Sequence, residues 1–295
     1  MTTNAPTPSC APEPLCWQNG TIQSAARSQV CVLDHGLLYG DGVFEGIRVY
    51  HGKAFKLTEH LIRLFASARA IGLDIPVDQA YLNHAIEDLI SAYAQPGAYI
   101  RLVVTRGSGS MGIDPRKCRQ PNLFIIIGEI SLVSDYVRQH GAKTIISATR
   151  RVPSDCLDPR IKSLNYLNNI LAKMEANLAG ADEAIMLNTN GRVAEGSADN
   201  IFIVRNGVIL TPPVIEGALD GITRQVLITC AKTLSIPLLE QALAPYDLYN
   251  ADECLLTGTG AELIPVASVD GRTVQQCPGP IFNRLSVEFT LLTNQ

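Results

Sequence analysis

The sequence predicts an α+β protein of two domains, and three observations support this prediction. The chain has 295 residues, which is more than one ordinary core usually holds. Turn dipeptides that favour antiparallel hairpins recur along it, and amphipathic helical patterns lie between them. Because strands and helices mix without strict alternation, a doubly wound parallel sheet is disfavoured.

Five short turns predict β-hairpins. Asn or Asp followed by Gly suits the positive φ angles of tight turns, so each such pair predicts two antiparallel strands. The turns are Asn19-Gly20, Gly52, Asn190-Gly191, Asn206-Gly207 and Asp270-Gly271. The apolar run at residues 124–127 predicts one further, buried strand.

Five amphipathic patterns predict helices, which begin at or after Thr58, Asp78, Tyr166, Gly221 and Pro280. Thr58 and Asp78 carry side-chain oxygens that can cap a helix start, and Pro280 suits a first helical turn. Gly72 and Gly180 are expected to end the first and third helices.

A change in composition divides the chain into four parts. The apolar strand pattern stops at residue 130, a polar stretch follows, and a strand pattern resumes at Lys143. We therefore predict a disordered tail at residues 1–14, a small N-terminal α/β domain at 15–130, an interdomain linker at 131–142 and a large C-terminal domain at 143–295.

Charge and composition argue against several kinds of partner. The net charge is −4 without a basic run, so we expect no nucleic-acid partner. The longest apolar run covers residues 123–127, which is too short for a membrane span, so we expect no membrane partner. Eight scattered cysteines lack metal-ligand spacing, which predicts no metal site and a reducing, cytoplasmic location: Cys10, Cys16, Cys31, Cys118, Cys156, Cys230, Cys254 and Cys277.

A glycine run at residues 107–112 matches G-x-G-x-x-G and suggests a nicotinamide-dependent oxidoreductase as one alternative. Such a site needs a helix that starts at the third glycine and faces the pyrophosphate. Pro115 is a poor helix-interior residue, and another strand pattern follows. We therefore expect a glycine-rich loop between two strands.

Lys162 lies in an apolar stretch, with Tyr166 four positions later. Partial desolvation favours a free amine, so Lys162 is a candidate Schiff-base nucleophile, although a lone lysine is more often a solvated surface residue. Three later segments favour the Schiff-base interpretation of Lys162. They are an acid before a Gly-Ser turn at Glu195, a helix start at residues 221–224, and a Thr-Gly turn at residues 257–260.

Together these segments match the requirements of pyridoxal phosphate. Its aldehyde needs an amine, its ring nitrogen needs a carboxylate, and its phosphate needs hydroxyls and backbone N–H groups at a helix start. The residues that supply these groups are Lys162, Glu195, Ile222, Thr223 and Thr259, with Arg63 as a fixed positive charge. Singly, each is more often an ordinary surface charge, capped helix or bend.

The sequence resembles the class IV (fold type IV) pyridoxal-phosphate aminotransferases, above all the branched-chain amino-acid aminotransferases. The resemblance runs from about Trp17 to the last helix and rests on seven ordered segments: residues 39–48, 59–64, 99–101, 160–169, 195–202, 221–224 and 257–262. It implies a small N-terminal α/β domain, a larger C-terminal pseudo-barrel domain and a cofactor between them. It also implies a homodimer, or a higher homo-oligomer, in which residues of one subunit reach the other's pocket.

The resemblance also implies a role for each matched residue. Lys162 forms the internal aldimine and moves the substrate proton, Glu195 pairs with the ring nitrogen, and Tyr166 bonds the phenolic oxygen of the cofactor. The phosphate ligands are Arg63, Ile222, Thr223 and Thr259. The substrate carboxylate meets Tyr99 and the turn at Thr259-Gly260, and the side-chain pocket is lined by Phe44, Gly46, Tyr39 and Tyr166.

Arg101 bears on the second substrate, because glutamate must fit where leucine fits. An arginine at the rim of an apolar pocket pairs with the distal carboxylate of glutamate and stays hydrated beside leucine. The alternative is a structural ion pair.

We therefore predict ping-pong amino transfer between leucine, isoleucine or valine and 2-oxoglutarate, in either direction. Alternatives of the same fold are a D-amino-acid aminotransferase, an amine transaminase and aminodeoxychorismate lyase. A catalytically silent binding module is an alternative of another class.

Overall fold

The computed structural model describes residues 12–294 and contains two β-sheets. The first sheet is antiparallel, with strand order β2-β1-β6-β5-β3-β4. Its strands are β1 (Leu15–Gln18), β2 (Thr21–Ser24), β3 (Gly42–Tyr50), β4 (Lys53–Ala54), β5 (Gly97–Thr105) and β6 (Asn122–Gly128).

Three helices accompany this sheet: α1 (His35–Tyr39), α2 (Leu57–Ala70) and α3 (Gln79–Tyr93). Leu61 and Leu64 lie one turn apart on α2, so both face the sheet, where they join Ile47 and Ile100 in one core. All four side chains are fully buried. Alternate residues of β5 from Ala98 to Val104 join this core, whereas Tyr99, Arg101 and Val103 between them line a cleft on the opposite face of the sheet.

The second sheet has nine strands in the order β12-β11-β10-β13-β14-β7-β8-β9, with β15 also paired to β14. The sheet is mixed. β7 runs parallel to both of its neighbours, β8 and β14, and β11 runs parallel to β12, whereas the other pairs are antiparallel. Its strands are β7 (Ala142–Ile146), β8 (Glu183–Leu187), β9 (Val193–Gly196), β10 (Asn200–Arg205), β11 (Val208–Thr211), β12 (Leu238–Glu240), β13 (Glu253–Gly258), β14 (Glu262–Val269) and β15 (Arg272–Thr273).

Five helices belong to this second half: α4 (Asp135–His140), α5 (Leu167–Leu178), α6 (Ile222–Thr233), α7 (Pro245–Tyr249) and α8 (Pro280–Thr293). α6 and α8 pack together over the sheet, in a core that includes Phe202, Leu227, Leu255 and Leu285. Within residues 12–294, none of the helices has the length and apolar character needed to cross a membrane.

The five predicted hairpins and most helix boundaries are confirmed. The Thr58 cap is wrong, because the chain turns into α2 earlier. Lys56, in a left-handed conformation with φ 56°, precedes the helix and leaves Thr58 inside its first turn. The glycine run is a loop between β5 and β6, as expected, and a three-residue 3-10 helix at Pro115–Lys117 follows it.

We propose the predicted domain boundaries for this chain. The six strands of the first sheet lie within residues 15–128 and those of the second within 142–273, which supports them. The linker at 131–142 includes α4, a helix that the sequence did not predict. Of the predicted tail, residues 1–11 lie outside the described residues, whereas the Pro14 carbonyl accepts the Ala25 N–H at 2.8 Å.

Candidate active site

A cleft of about 660 Å³ opens between the two sheets. This volume is in the range of small-molecule sites. All the residues that the sequence assigned to the site, except Tyr39, line it: Phe44, Gly46, Arg63, Tyr99, Arg101, Lys162, Tyr166, Glu195, Ile222, Thr223, Thr259 and Gly260. Segments that are far apart in the chain therefore meet at one place.

Lys162 is held against the first sheet by backbone pairing. Its carbonyl accepts the Phe44 N–H at 3.0 Å, and its own N–H donates to the Ser67 hydroxyl at 3.2 Å. The half-buried amine lies 3.3 Å from the Tyr166 hydroxyl and 4.7 Å from the centroid of the Phe44 ring. The amine thus faces aromatic groups inside the cleft rather than a surface carboxylate.

Glu195 lies at the other side of the cleft, on β9, and is 5% exposed. One carboxylate oxygen pairs with Arg151 at 2.9 Å, and the other accepts the Leu219 N–H at 2.9 Å and an Asn200 side-chain N–H at 3.4 Å. Burial raises the pKa of Glu195, and the charge of Arg151 opposes this rise. The acid is therefore suited to share a proton with a base placed in the cleft.

The start of α6 faces the cleft through Ile222 and Thr223. Gly221 precedes the helix and has no side chain that could cap it, so the first N–H groups remain available to an anion. Arg63 fixes this helix start, because its guanidinium donates to the Asp220 carbonyl at 2.7 Å. A phosphate group would fit at this point.

Arg63 is also held by Glu45, in a pair that the sequence did not assign. Its Nε and Nη2 donate to the two oxygens of Glu45 at 2.7 and 2.8 Å, and His60 contacts the same carboxylate at 2.8 Å. Burial opposes ionisation of Glu45, but Arg63 and His60 outweigh it and hold the pKa of this acid at about 2. Burial lowers the pKa of His60, so the imidazole is a neutral hydrogen-bond partner.

Gly46, predicted to line the side-chain pocket, and Tyr99, predicted to receive the substrate carboxylate, lie against each other in the cleft wall. A Cβ atom at Gly46 would lie 2.8 Å from Cζ of Tyr99, with the hydroxyl nearer still, so the phenol occupies the space of a missing side chain. Burial raises the pKa of Tyr99, which keeps the hydroxyl protonated and able to donate a hydrogen bond.

Arg101 lies over the Phe44 ring at 4.4 Å and near the Tyr99 ring at 5.7 Å, measured from Cζ to the ring centroids. Among residues 12–294 no carboxylate forms an ion pair with it. The alternative that Arg101 makes a structural ion pair therefore fails for the part of the chain that the structure describes.

The amino-transferase class IV family model matches residues 42–269, which is more than half of the chain. The chain belongs to the class IV aminotransferases. It is 47% identical over 272 residues to a Methanocaldococcus jannaschii protein that is provisionally named a branched-chain-amino-acid aminotransferase, covering 92% of this chain and 93% of that protein. The nicotinamide-dependent alternative is thus wrong, and the protein is an enzyme that transfers amino groups.

Solved structures agree with this assignment. The Escherichia coli branched-chain amino acid aminotransferase superposes with a TM-score of 0.92 at 34% identity, covering 95% of each chain. The T.th. enzyme complexed with N-(5'-phosphopyridoxyl)-L-glutamate superposes with a TM-score of 0.89 at 35% identity, covering 96% of this chain and 95% of that one. The predicted two-domain fold type IV architecture is confirmed.

Class IV aminotransferases use pyridoxal phosphate, and the cleft of this aminotransferase fits that group. Lys162 presents an amine, Glu195 a buried acid and α6 an open N-terminus. In addition, the Thr257 hydroxyl lines the cleft and is buried without a hydrogen-bond partner. A buried hydroxyl of this kind normally has a partner, so a ligand with polar atoms would complete it.

Tyr39 does not line the cleft of its own aminotransferase chain. It lies on α1, its hydroxyl accepts the Gly112 N–H at 2.8 Å, and its ring packs edge to face with His35. At 39% exposure, it faces solvent in the single chain.

Sequence reasoning also missed residues that complete the site of this aminotransferase. Arg151 pairs with Glu195, Glu45 pairs with Arg63 and His60 contacts Glu45. Leu132, Val133 and Ser134 of the linker line one side of the cleft. Glu45 and His60 lie in segments that carried the family resemblance, so an acid and a histidine next to Arg63 were a usable signal. Nothing in the sequence near Arg151 marks it as the partner of Glu195.

Proposed function

We propose that this aminotransferase exchanges amino groups between branched-chain L-amino acids and 2-oxoglutarate by a ping-pong route with pyridoxal phosphate. The observation that carries the proposal is that Lys162 and Glu195 line the same cleft, together with the open start of α6. The names of the relatives support the substrate class.

The cofactor, when bound, supplies an aldehyde for amines and a ring that accepts electrons. Lys162 would hold the aldehyde carbon through its amine, and its free amine would carry the proton at the substrate Cα. Glu195 holds a proton at the ring nitrogen, and Tyr166 donates a hydrogen bond to the phenolic oxygen. Arg63, Ile222, Thr223 and Thr259 hold the phosphate, with the isoleucine acting through its backbone N–H.

The substrate side of the cleft supports dual recognition. Tyr99 and the turn at Thr259-Gly260 receive the α-carboxylate, and Phe44 and Gly46 leave an apolar space for a branched side chain. Arg101, which has no acidic partner in the described chain, pairs with the distal carboxylate of glutamate or 2-oxoglutarate.

One experiment tests the cofactor assignment. We expect the purified protein to be yellow, and borohydride to fix the cofactor on the Lys162 peptide rather than on Lys173, a second lysine that lines the cleft. Lys162→Ala should abolish transamination and leave the far-ultraviolet circular dichroism unchanged. A colourless protein that gains nothing from added pyridoxal phosphate, or turnover that survives Lys162→Ala, contradicts the proposal.

A donor panel tests the substrate class. With 2-oxoglutarate as acceptor, L-leucine, L-isoleucine and L-valine should react and D-leucine should not. Turnover confined to D-leucine, to a simple amine or to aminodeoxychorismate would assign the chain to another activity of the same fold.

We also propose a homodimer. The outer face of α5 carries five apolar side chains that are 44–88% exposed: Leu167, Ile170, Leu171, Met174 and Leu178. An uncovered apolar stripe at helical spacing indicates a protein interface. A second copy here would lie beside the Lys162 segment, and the exposed Tyr39 would be free to enter the partner's cleft.

Sedimentation tests the dimer. The wild type should have twice the 31.9 kDa chain mass. Leu171→Glu should lower it, whereas Val287→Glu on the exposed face of α8 should not. Monomeric wild type contradicts the proposal.

We further propose a cytoplasmic location, because the described cysteines are free thiols that suit a reducing compartment.

A further inference from the structure

Glu262 is a carboxylate at which three segments of the chain meet. It is the first residue of β14 and directly follows the turn at residues 259–261. One oxygen accepts the Tyr50 hydroxyl at 2.6 Å and an Arg48 N–H at 3.2 Å, both from β3 of the first sheet. The other oxygen accepts an Arg138 N–H at 3.2 Å, from α4 of the linker.

The backbone of Glu262 is also unusual. Its φ angle is 64°, in the left-handed region that non-glycine residues rarely adopt. Such a conformation persists only where the surroundings hold it in place, and here Arg138 also binds the neighbouring Ala261 carbonyl at 3.3 Å. The ion pairs therefore fix both the side chain and the exit of the turn.

The turn that Glu262 closes is the one assigned to the substrate carboxylate. Gly260 packs so tightly against the linker that a Cβ atom there would lie 2.6 Å from Leu132 Cδ1. Arg48 is directly opposite Tyr99 in the register of β3 and β5. One acid thus holds the turn, the linker that covers it and the strand beside the phenol.

We propose that Glu262 is a positioning residue for the substrate carboxylate, acting through the turn at residues 259–261 and through Arg48 and Arg138. This inference rests on the proposed function, in which that turn and Tyr99 receive the carboxylate. Glu262 itself lies outside the cleft lining, so its effect is indirect. Its two arginines are 19% and 32% exposed, so water screens the pairs only in part.

Charge and geometry predict opposite effects on carboxylate binding when Glu262 is neutralised, so one experiment distinguishes them. Removal of the Glu262 charge leaves Arg48 and Arg138 without their shared anion. If their charge alone governed binding, a substrate carboxylate would then bind more tightly. If geometry governs binding, the turn and the linker loosen and the carboxylate binds more weakly.

The test uses the full chain with cofactor and compares wild type with Glu262→Gln, which keeps the size of the side chain and removes its charge. We expect the KM for the L-amino acid and for the 2-oxo acid to rise about tenfold, an effect between those of exposed and buried ion pairs. The rate at saturating substrate and the cofactor absorbance should stay within about twofold of wild type. The Kd for 4-methylpentanoate, an unreactive branched carboxylate, should rise with KM in calorimetry.

Two further variants separate positioning from general stability. Glu59→Gln removes one acid of the exposed pair with Lys56 and should change none of these quantities. Arg138→Met should raise KM and Kd in the same direction, and its effect should not add to that of Glu262→Gln. If Glu262→Gln does not fold, KM and Kd of the Arg138→Met variant still test the proposal.

Three results overturn the inference. If KM and Kd are unchanged in both variants, even with a lower Tm, Glu262 only links the two domains structurally. Tighter carboxylate binding shows that charge, not geometry, dominates. If the wild type neither binds 4-methylpentanoate nor transaminates, the proposed function is overturned as well. If the wild type is active and the variants are unaffected, only the positioning role is overturned.

Discussion

Gly46→Ala offers a sharp test of the substrate wall, because one methyl group would occupy space that Tyr99 fills. The new Cβ would lie 2.8 Å from Cζ and 3.2 Å from Cε2 of the Tyr99 ring, with the hydroxyl nearer still. Carbon atoms pack at about 3.5–4.0 Å, so the ring has to move by roughly 1 Å. The phenol would then leave the position from which, in the proposed function, it donates to the substrate carboxylate.

The size of the effect follows from the two interactions that are disturbed. Overpacking a tight site costs about 1–3 kcal/mol, and a hydrogen bond to a charged group is worth about 1.5–3 kcal/mol. At about 1.4 kcal/mol per tenfold, the loss of that hydrogen bond lowers kcat/KM for L-leucine by roughly 10- to 100-fold. The assay is steady-state kinetics with 2-oxoglutarate, together with Tm measured on the same samples.

Gly97→Ala is the matched control. Gly97 lies on β5 in the same sheet, and a Cβ there would meet only the Val49 carbonyl, at 3.9 Å. Kinetics should therefore be unchanged. In a Tyr99→Phe background, Gly46→Ala should cost much less in kcat/KM, because the hydrogen bond is already gone. Wild-type kcat/KM in Gly46→Ala alone would refute the reasoning.

Three other changes have defined outcomes. Glu45→Gln leaves the Arg63 charge buried without its anion and should lower the free energy of unfolding by about 3–5 kcal/mol in urea titrations. Burial raises the pKa of Asp199 from 3.8 to about 7, so ionising it costs stability as pH rises through that range; Asp199→Asn should therefore raise Tm over wild type at pH 8 and match it at pH 3, below both values. Glu253→Gln weakens the bonds to the first N–H groups of α8, among them Phe282 at 2.8 Å, and should cost about 1 kcal/mol in the same titrations.

The sequence predicted features whose cause lies within a few residues. Asn19 and Gly20 take positive φ angles, which an asparagine tolerates and a glycine adopts freely because it has no Cβ. Asp78 caps α3 by accepting the Tyr81 N–H. Short helices escaped prediction. α4 and α7 have six and five residues, which is too few for a helical period to stand out.

Contacts between distant segments could not be predicted in the same way. Arg151 precedes Glu195 by several elements of structure, and only the pairing of β8 with β9 brings the acid to it. Tyr39 does not line the cleft of its own chain, because α1 places its hydroxyl against the Gly112 N–H, a contact between distant segments that its motif does not indicate. Lys162 and Glu195 were predictable because pyridoxal phosphate chemistry requires their residue types.

Glu195, which lines the cleft, and Glu45, which lies behind Arg63, are buried acids whose surroundings give them opposite properties. Glu45 receives both arms of Arg63, and its pKa of about 2 makes it a permanent anion. Glu195 has one arginine contact, and burial raises its pKa, so its charge responds to a base nearby.

It follows that Arg63 has little charge to spare for a phosphate, since Glu45 already neutralises it. In the proposed cofactor site, a phosphate dianion would therefore be held chiefly by the N–H groups at the start of α6 and by the hydroxyls of Thr223 and Thr259, while Arg63 keeps that helix start in place through the Asp220 carbonyl. Loss of Arg63 would therefore weaken phosphate binding mainly by displacing α6, and only secondarily by removing a charge.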